Sequence, residues 1–341
     1  MTPPPRTPSP TISDVARLAG VSTATVSRAL NQPALVAEAT RRAVETAAAS
    51  VGYRINAAAQ TLRRGRAGAV LVLVPNLGNP FFSRIIAAIE TVLAEAGLFT
   101  LIADTRQVAD PQAAIQGHLR SGRVDGVISL DGNIRRVEAM TLQGAPQMIH
   151  ACEWDGGEPG ASVVIDNAHG AGEAIRHLAG LGHRRIGQVT GPAGNVLTTL
   201  RSRGVTEALA GLGLPERADW VFDGDFTLAT GRRAAERWCA LDDRPTALFC
   251  ASDQMAMGLI SGLVAAGVSV PGDVSVVGFD DIDVASYYTP ALTTVRQPRD
   301  EIGQRAARML LRRLGGDAED SRVVLPATLV PRASSGPPPA P

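Results

Sequence analysis

From Ala69 onward, short apolar runs alternate with longer amphipathic stretches, and this alternation leaves few architectures open. Residues 69–74 are a near-continuous apolar run ended by Pro75, as expected of a strand buried on both faces of a parallel sheet. The pattern predicts further strands at 99–103, 126–130, 147–151, 162–165, 185–190, 220–223, 247–250 and 274–279. Between and after them it predicts helices at 82–96, 111–120, 170–181, 202–212, 228–241, 253–266 and 299–314. Strands that alternate with helices mean doubly wound parallel sheets. There are too many strands for one compact sheet, so two similar lobes are expected. Any ligand is then expected in the cleft between them, at the carboxyl ends of the strands.

The first 66 residues have a different texture. In TISDVARLAGVSTATVSRALN, residues 11–31, Ile12, Val15, Ala16 and Ala19 recur at helical spacing. Ser13 is the expected N-cap of this helix. Gly20 supplies a left-handed turn without steric cost, and Ser22 caps a second helix carrying Thr25, Val26, Ala29 and Leu30. Two short helices joined by such a turn form the unit that places its second helix in the major groove of DNA. A helical hairpin inside an ordinary domain gives the same pattern, so charge has to decide. Residues 1–66 hold nine arginines against three acids, a formal +6, and the remainder holds 24 arginines against 30 acids, a formal −6. The overall zero therefore hides a basic N-terminal module, the footprint expected of phosphate contacts. A third helix is expected at 36–50, with Glu38 and Arg42 as an i,i+4 pair. An Ala-rich helix, too short to be stable alone, is expected in NAAAQTLRRGR, residues 56–66.

Length and composition bound the rest. A chain of 341 residues can hold two or three domains with real cores. No apolar run is long enough to span a bilayer. The leading MTPPPRTPSP lacks the apolar core of an export signal, so a cytoplasmic protein is expected. That segment, 1–10, and the Pro- and Ser-rich 333–341 read as a disordered arm and tail. Cys152, Cys239 and Cys250 have no metal-ligand spacing and read as buried free thiols. There is no G-x-G-x-x-G after the first strand, no phosphate loop, no G-x-S-x-G and no H-E-x-x-H, which argues against an enzyme and calls for no cofactor or metal. A solute-binding protein without a regulatory role is the other competing class, and it would need an export signal and no basic head.

Beyond the helix pair, AEATRRAVE, GYRINAAAQTLR, VPNLGNPFFSRII, RVDGVISL, VVIDN, LGHRRIGQVTGP, RPTALFCASDQMAMG, VPGDVSVVGFDDI and PALTTVRQP follow in unbroken order. Together the motifs resemble the LacI-type (LacI/GalR) transcriptional repressor family, from about Thr11 to about Pro331, with VSTATVSRAL, NPFFSRIIAAIE, the ACEW segment and GDFTLATG most similar to its cytidine-responsive branch. The resemblance implies an α plus α/β chain. A three-helix head spans 11–55, a hinge helix and linker 56–67, and a two-lobed core of the periplasmic-binding-protein type 68–332. It also implies a homodimer that reads a near-palindromic DNA operator. After Pro331 no leucine heptad follows that would pair dimers into tetramers.

Carried over residue by residue, the resemblance assigns DNA contacts to Ser22, Thr23, Ala24, Thr25, Arg28 and Asn31 in the head, and to Asn56, Ala59, Leu62 and Arg63 in the hinge. Arg28 can donate a fork to guanine or contact phosphate. Leu62 is the minor-groove wedge of the family pattern, or else a leucine docking the head. Ile55 stands where family members mostly have proline. For the effector it assigns Phe81, Phe82, Trp154, Asn195, Arg201, Phe226, Ser252 and Asp280. Asp280 and Asp281 could instead be solvated loop acids, and Phe81 and Phe82 plain core. Asn195 replaces the arginine of purine-corepressor members, which favours induction by a nucleoside or sugar over corepression. Ligand in the cleft is then expected to alter the lobe angle and, through residues 66–68, operator affinity, a coupling that runs both ways.

Overall fold

The computed structural model describes residues 10–53, 67–107, 110, 113, 123–134, 147–154, 160–317 and 321–340. They fall into two compact units, Met1–Arg66 and Ala67–Pro341.

In the first unit α1 (Ile12–Ala19), α2 (Thr23–Asn31) and α3 (Glu38–Val51) enclose a small core in which Val15, Val26 and Val44 are fully buried. Thr11, not Ser13, caps α1. Its hydroxyl accepts from the Asp14 N–H, and the Asp14 carboxylate accepts from the Thr11 N–H at 3.0 Å, a reciprocal capping box. The sequence TISD carries two hydroxyls in register for a cap, and the acid three residues on selects Thr11. Those hydrogen bonds, with Arg17 alongside, hold the Asp14 carboxyl below the usual carboxylate range. Gly20 takes φ 66°, the left-handed turn its position predicts. Ser22 caps α2 as expected, accepting from the Thr25 N–H at 3.1 Å. Glu38 and Arg42 form the expected pair on α3.

The second unit contains two six-stranded sheets. One has the order β11-β5-β4-β3-β1-β2, comprising β1 (Ala69–Val74), β2 (Phe99–Asp104), β3 (Gly126–Ser129), β4 (Gln147–Ala151), β5 (Ser162–Ile165) and β11 (Arg322–Leu325), all parallel. The other has the order β12-β10-β9-β8-β6-β7, comprising β6 (Ile186–Val189), β7 (Val221–Phe222), β8 (Ala247–Cys250), β9 (Ser275–Asp280), β10 (Thr293–Arg296) and β12 (Thr328–Val330). Only β12 runs antiparallel there. Helices α4 (Phe81–Glu95) and α9 (Arg299–Leu314) pack together on the first sheet. Helices α5 (Asn167–Gly180), α6 (Val196–Gly211), α7 (Leu228–Ala240) and α8 (Asp253–Ala265) cover the second.

Three strands missing from the sequence reading, β10, β11 and β12, make this arrangement two-lobed. The chain crosses between lobes after β5, between β10 and α9, and between β11 and β12. Strands of three or four residues beside prolines carry too little periodicity to register. The helix at 111–120 lies almost wholly outside the described residues.

The expected tail at 333–341 is a correction, because its first residues are packed. Ser334 is fully buried, donates to the Val276 carbonyl at 2.6 Å and accepts from the Thr293 N–H at 2.8 Å. Buried His183 hydrogen-bonds the Gly336 carbonyl at 2.9 Å. Its burial there holds the imidazole pKa below the usual histidine value. Ser and Gly read as tail by composition, but here they complete the lobe's polar interior.

Candidate functional site

On α2 the buried Val26 and Ala29 face the head core, which leaves Thr23, Ala24 and Arg28 exposed on the opposite side. Ser22 and Thr25 share a hydroxyl–hydroxyl hydrogen bond of 2.9 Å, so both are committed to the start of the helix. The head therefore presents one guanidinium, one hydroxyl and one methyl from a rigid helix. The side chain of Asn31, and all of Asn56, Ala59, Leu62 and Arg63, lie outside the described residues, as does Ile55.

Between the lobes of the second unit lies a cleft of about 220 Å³. Its walls come from the carboxyl ends of strands, as a doubly wound topology dictates. The first lobe gives Asn76 and Asn79 after β1, Phe81 and Phe82 at the start of α4, Asp131 after β3 and Glu153 after β4. The second lobe gives Asn195 and Arg201, then Asp225, Phe226 and Thr227 after β7, Ser252 after β8 and Asp280 at the end of β9. Phe81 and Phe82 are both core and wall: each is 5% exposed, and their rings meet edge to face at 5.1 Å.

Arg201 is the cleft's buried cation. Its Nε donates to Asn167 Oδ1 at 2.9 Å, and its Nη1 donates to the Ala251 carbonyl at 2.5 Å and lies 3.9 Å from Asp280 Oδ1. The guanidinium also sits 3.9 Å from the Phe279 ring centroid and 5.9 Å from that of Phe226. Asp280 is no solvated loop acid. It is buried, accepts from Gln297 Nε2 at 2.7 Å, and burial pushes its carboxyl up to about 6 against the pull of Arg201 and Gln297. Asp281 forms ion pairs with Arg296 and Arg332 at 2.6 Å each, and it lies outside the cleft lining. Phe226 and Asp280 have φ of 64° and 124°, left-handed values that non-glycine residues rarely adopt and that gather at ligand sites.

Asn195 serves two elements. Its Oδ1 caps α6, accepting from the Leu197 and Thr198 N–H groups, and its Nδ2 donates to Glu153 Oε2 at 3.0 Å across the cleft. The cap explains why α6 starts six residues before the expected 202. Ser252 likewise caps α8, accepting from the Met255 N–H at 3.3 Å, which leaves its hydroxyl hydrogen as its remaining donor. Burial pushes the Glu153 carboxyl up to about 7, opposed by the Asn195 hydrogen bond.

Seven of the eight residues expected at an effector line this cleft; Trp154 does not. Its buried ring faces the Arg322 guanidinium at 5.1 Å, while the neighbouring Glu153 takes the cleft position. Cys152, at φ 69°, turns the backbone just before the pair. The sequence reading missed Asn76, Asn79, Asp131, Glu153, Asp225 and Thr227 in the lining and Gln297 behind it. Position offered a signal: Asp131, Glu153 and Asp225 each follow within three residues of a strand's last residue.

Two family models match the chain. "Bacterial regulatory proteins, lacI family" covers residues 11–56, and "Periplasmic binding protein-like domain" covers 175–335. The HTH-type transcriptional repressor CytR of Escherichia coli is 38% identical over 307 residues, which is 90% of each chain. The repressor PurR of Photobacterium profundum is 35% identical over 316 residues, 92% of this chain and 94% of the relative. Among solved structures, the lac repressor dimer bound to operator and the anti-inducer ONPF superposes with a TM-score of 0.84 at 30% identity, covering 96% of this chain and all of that one. These relatives are transcriptional repressors rather than enzymes. A head with an exposed basic helix face, two lobes joined by three crossings and near-full-length similarity to such repressors place the chain: it belongs to the LacI family of bacterial regulatory proteins.

Proposed function

We infer that the chain is a cytoplasmic transcriptional repressor that binds a near-palindromic operator as a homodimer and releases it when a nucleoside or sugar enters the cleft. The observation that carries this reading is the exposed Thr23–Ala24–Arg28 face on a packed three-helix head. That face belongs to the same chain as a cleft combining aromatic walls with a buried Arg201–Asp280 pair. An exposed guanidinium on a rigid helix suits bidentate donation to guanine, and a polar cleft with flat apolar faces suits a ring bearing hydroxyl groups. The two named repressor relatives and the operator-bound neighbour support the same reading. Induction is favoured over corepression because Asn195, committed to the α6 cap and to Glu153, offers no cation to an incoming base.

The test is operator selection from a random DNA pool with the full chain, followed by fluorescence anisotropy on the selected duplex. Arg28→Ala is expected to weaken specific binding about 10-fold or more, from a contact worth roughly 1–3 kcal/mol, and to relax one base position in each half-site. Nucleosides or sugars are expected to lower the affinity of the unaltered chain. Failure to enrich any sequence would overturn the DNA reading. Tightening by ligand would turn the protein into a corepressor-dependent regulator.

A further inference from the structure

The charge of the ligand is the question the fold leaves open, and the cleft lining answers it. Four carboxylates face the cleft, those of Asp131, Glu153, Asp225 and Asp280, against the guanidinium groups of Arg106 and Arg201. The buried cation is already compensated, and the other stands at the rim, away from the cleft floor. Arg201 is held by Asn167 and Ala251, with Asp280 at 3.9 Å. Arg106 lies at the rim, its side chain 53% exposed, hydrogen-bonded to Asn76 and 3.8 Å from Asp104. Glu153 stands apart among the four acids. It is 7% exposed, and its Oε2 accepts from Asn195 Nδ2 at 3.0 Å and from the Gly132 N–H at 3.4 Å. Among the described residues no cation lies within ion-pair distance of it, and its Oε1 accepts no hydrogen bond. Above its value of about 7 this carboxyl is ionised and accepts without donating, so its complement there is an N–H or O–H group. A phosphate brought beside it would meet like charge in a site of reduced dielectric. Size narrows the choice further: about 220 Å³ is below the roughly 300–1,000 Å³ of drug-sized sites, which suits one sugar ring or a nucleoside.

We propose that the cleft selects an unphosphorylated ligand, of nucleoside or monosaccharide size, whose N–H or O–H donor is taken by Glu153, and that Glu153 turns phosphorylated counterparts away. This rests on the cleft being the effector site. Phe81, Phe82 and Phe226 supply the apolar faces for the ring, and Asn195 fixes the carboxylate that reads its polar edge.

Calorimetric titration of the full chain at about pH 8.5, above the Glu153 value, tests it with matched pairs: cytidine and adenosine against their 5′-monophosphates, and ribose and glucose against ribose 5-phosphate and glucose 6-phosphate. The expected result is binding of at least one unphosphorylated member, with its phosphorylated partner weaker by about 30-fold or more. Glu153→Gln keeps the shape and the acceptor for Asn195 while removing the charge, and is expected to bring that ratio close to one. A phosphorylated member that binds as tightly as its parent overturns the proposal while leaving the effector reading intact. A ratio unchanged in Glu153→Gln overturns the role of that residue. Silence across the whole panel, with operator affinity also unmoved, overturns the effector reading and the proposal with it.

Discussion

Burying a guanidinium or a carboxylate is costly unless each finds partners, and the cleft shows both outcomes within a few residues. Arg201 is surrounded by the Asn167 amide oxygen, the Ala251 carbonyl, the Asp280 carboxylate and the face of Phe279, so its charge is compensated by the protein itself. Burial, with Asp131 nearby, lifts the Glu153 carboxyl from 4.5 to about 7 against two N–H donors and the more distant charge of Arg201. A carboxyl that binds its proton more tightly in the folded state stabilises the fold below its unfolded value, and that stabilisation is lost as pH rises through the folded value. Between about pH 4.5 and 7 the unaltered chain is therefore expected to lose stability relative to Glu153→Gln, by a difference of the order of 1–3 kcal/mol. Paired thermal melts across that range measure it, and a flat difference would show that Glu153 is not the titrating group. Arg201, Asp280 and Phe226 were legible in the sequence because their motifs carry them. Glu153 was not, because ACEW does not say which of two adjacent side chains enters the cleft and which turns toward Arg322.

Among the elements, helix starts were set by side-chain caps that propensity alone ranks poorly. Thr11 rather than Ser13 begins α1 because Asp14 completes the reciprocal box, and Asn195 begins α6 six residues before its apolar pattern becomes regular. The α7–α8 pair is set by close approach: a Cβ on Gly231 would lie 2.0 Å from the Met255 carbonyl oxygen, and one on Gly258 would lie 2.0 Å from that of Leu228. Gly258→Ala is therefore expected to cost about 1–3 kcal/mol or more, despite the better helix propensity of alanine. Denaturant unfolding of the core would show this as a lower midpoint; a higher midpoint would mean that the helices can move apart freely. Neither contact is visible in the local sequence, where both glycines read only as weak points in a helix.

For the whole molecule, the chain passes between lobes three times, and the cleft is tied to two of those passages. Arg201 holds Asn167, just after the crossing from β5, and Asp280 accepts from Gln297, just before the crossing into α9. The end of the chain closes the second lobe, with Ser334, Ser335 and Gly336 engaging Val276, Thr293, His177, Ser275 and His183. Deleting residues 333–341 removes a hydrogen-bond partner from each of these groups and leaves the Thr293 N–H without its Ser334 acceptor, at about 1–3 kcal/mol for a buried group left unpaired, so the core is expected to melt several degrees lower. Calorimetry of the truncated chain checks this, and an unchanged melting temperature would restore the tail to a dispensable appendage. The sequence by itself determined the helix-turn-helix pattern and the alternation of strands and helices, because periodicity and caps are local properties, and its motifs gave seven side chains of the cleft through their resemblance to a family. Only the tertiary structure decided the three crossings, the buried C-terminal segment and the presence of Glu153 in the cleft in place of Trp154. Each of those depends on which distant groups meet, and the free energy of burying a polar or charged group is set by its partners rather than by its neighbours in the chain.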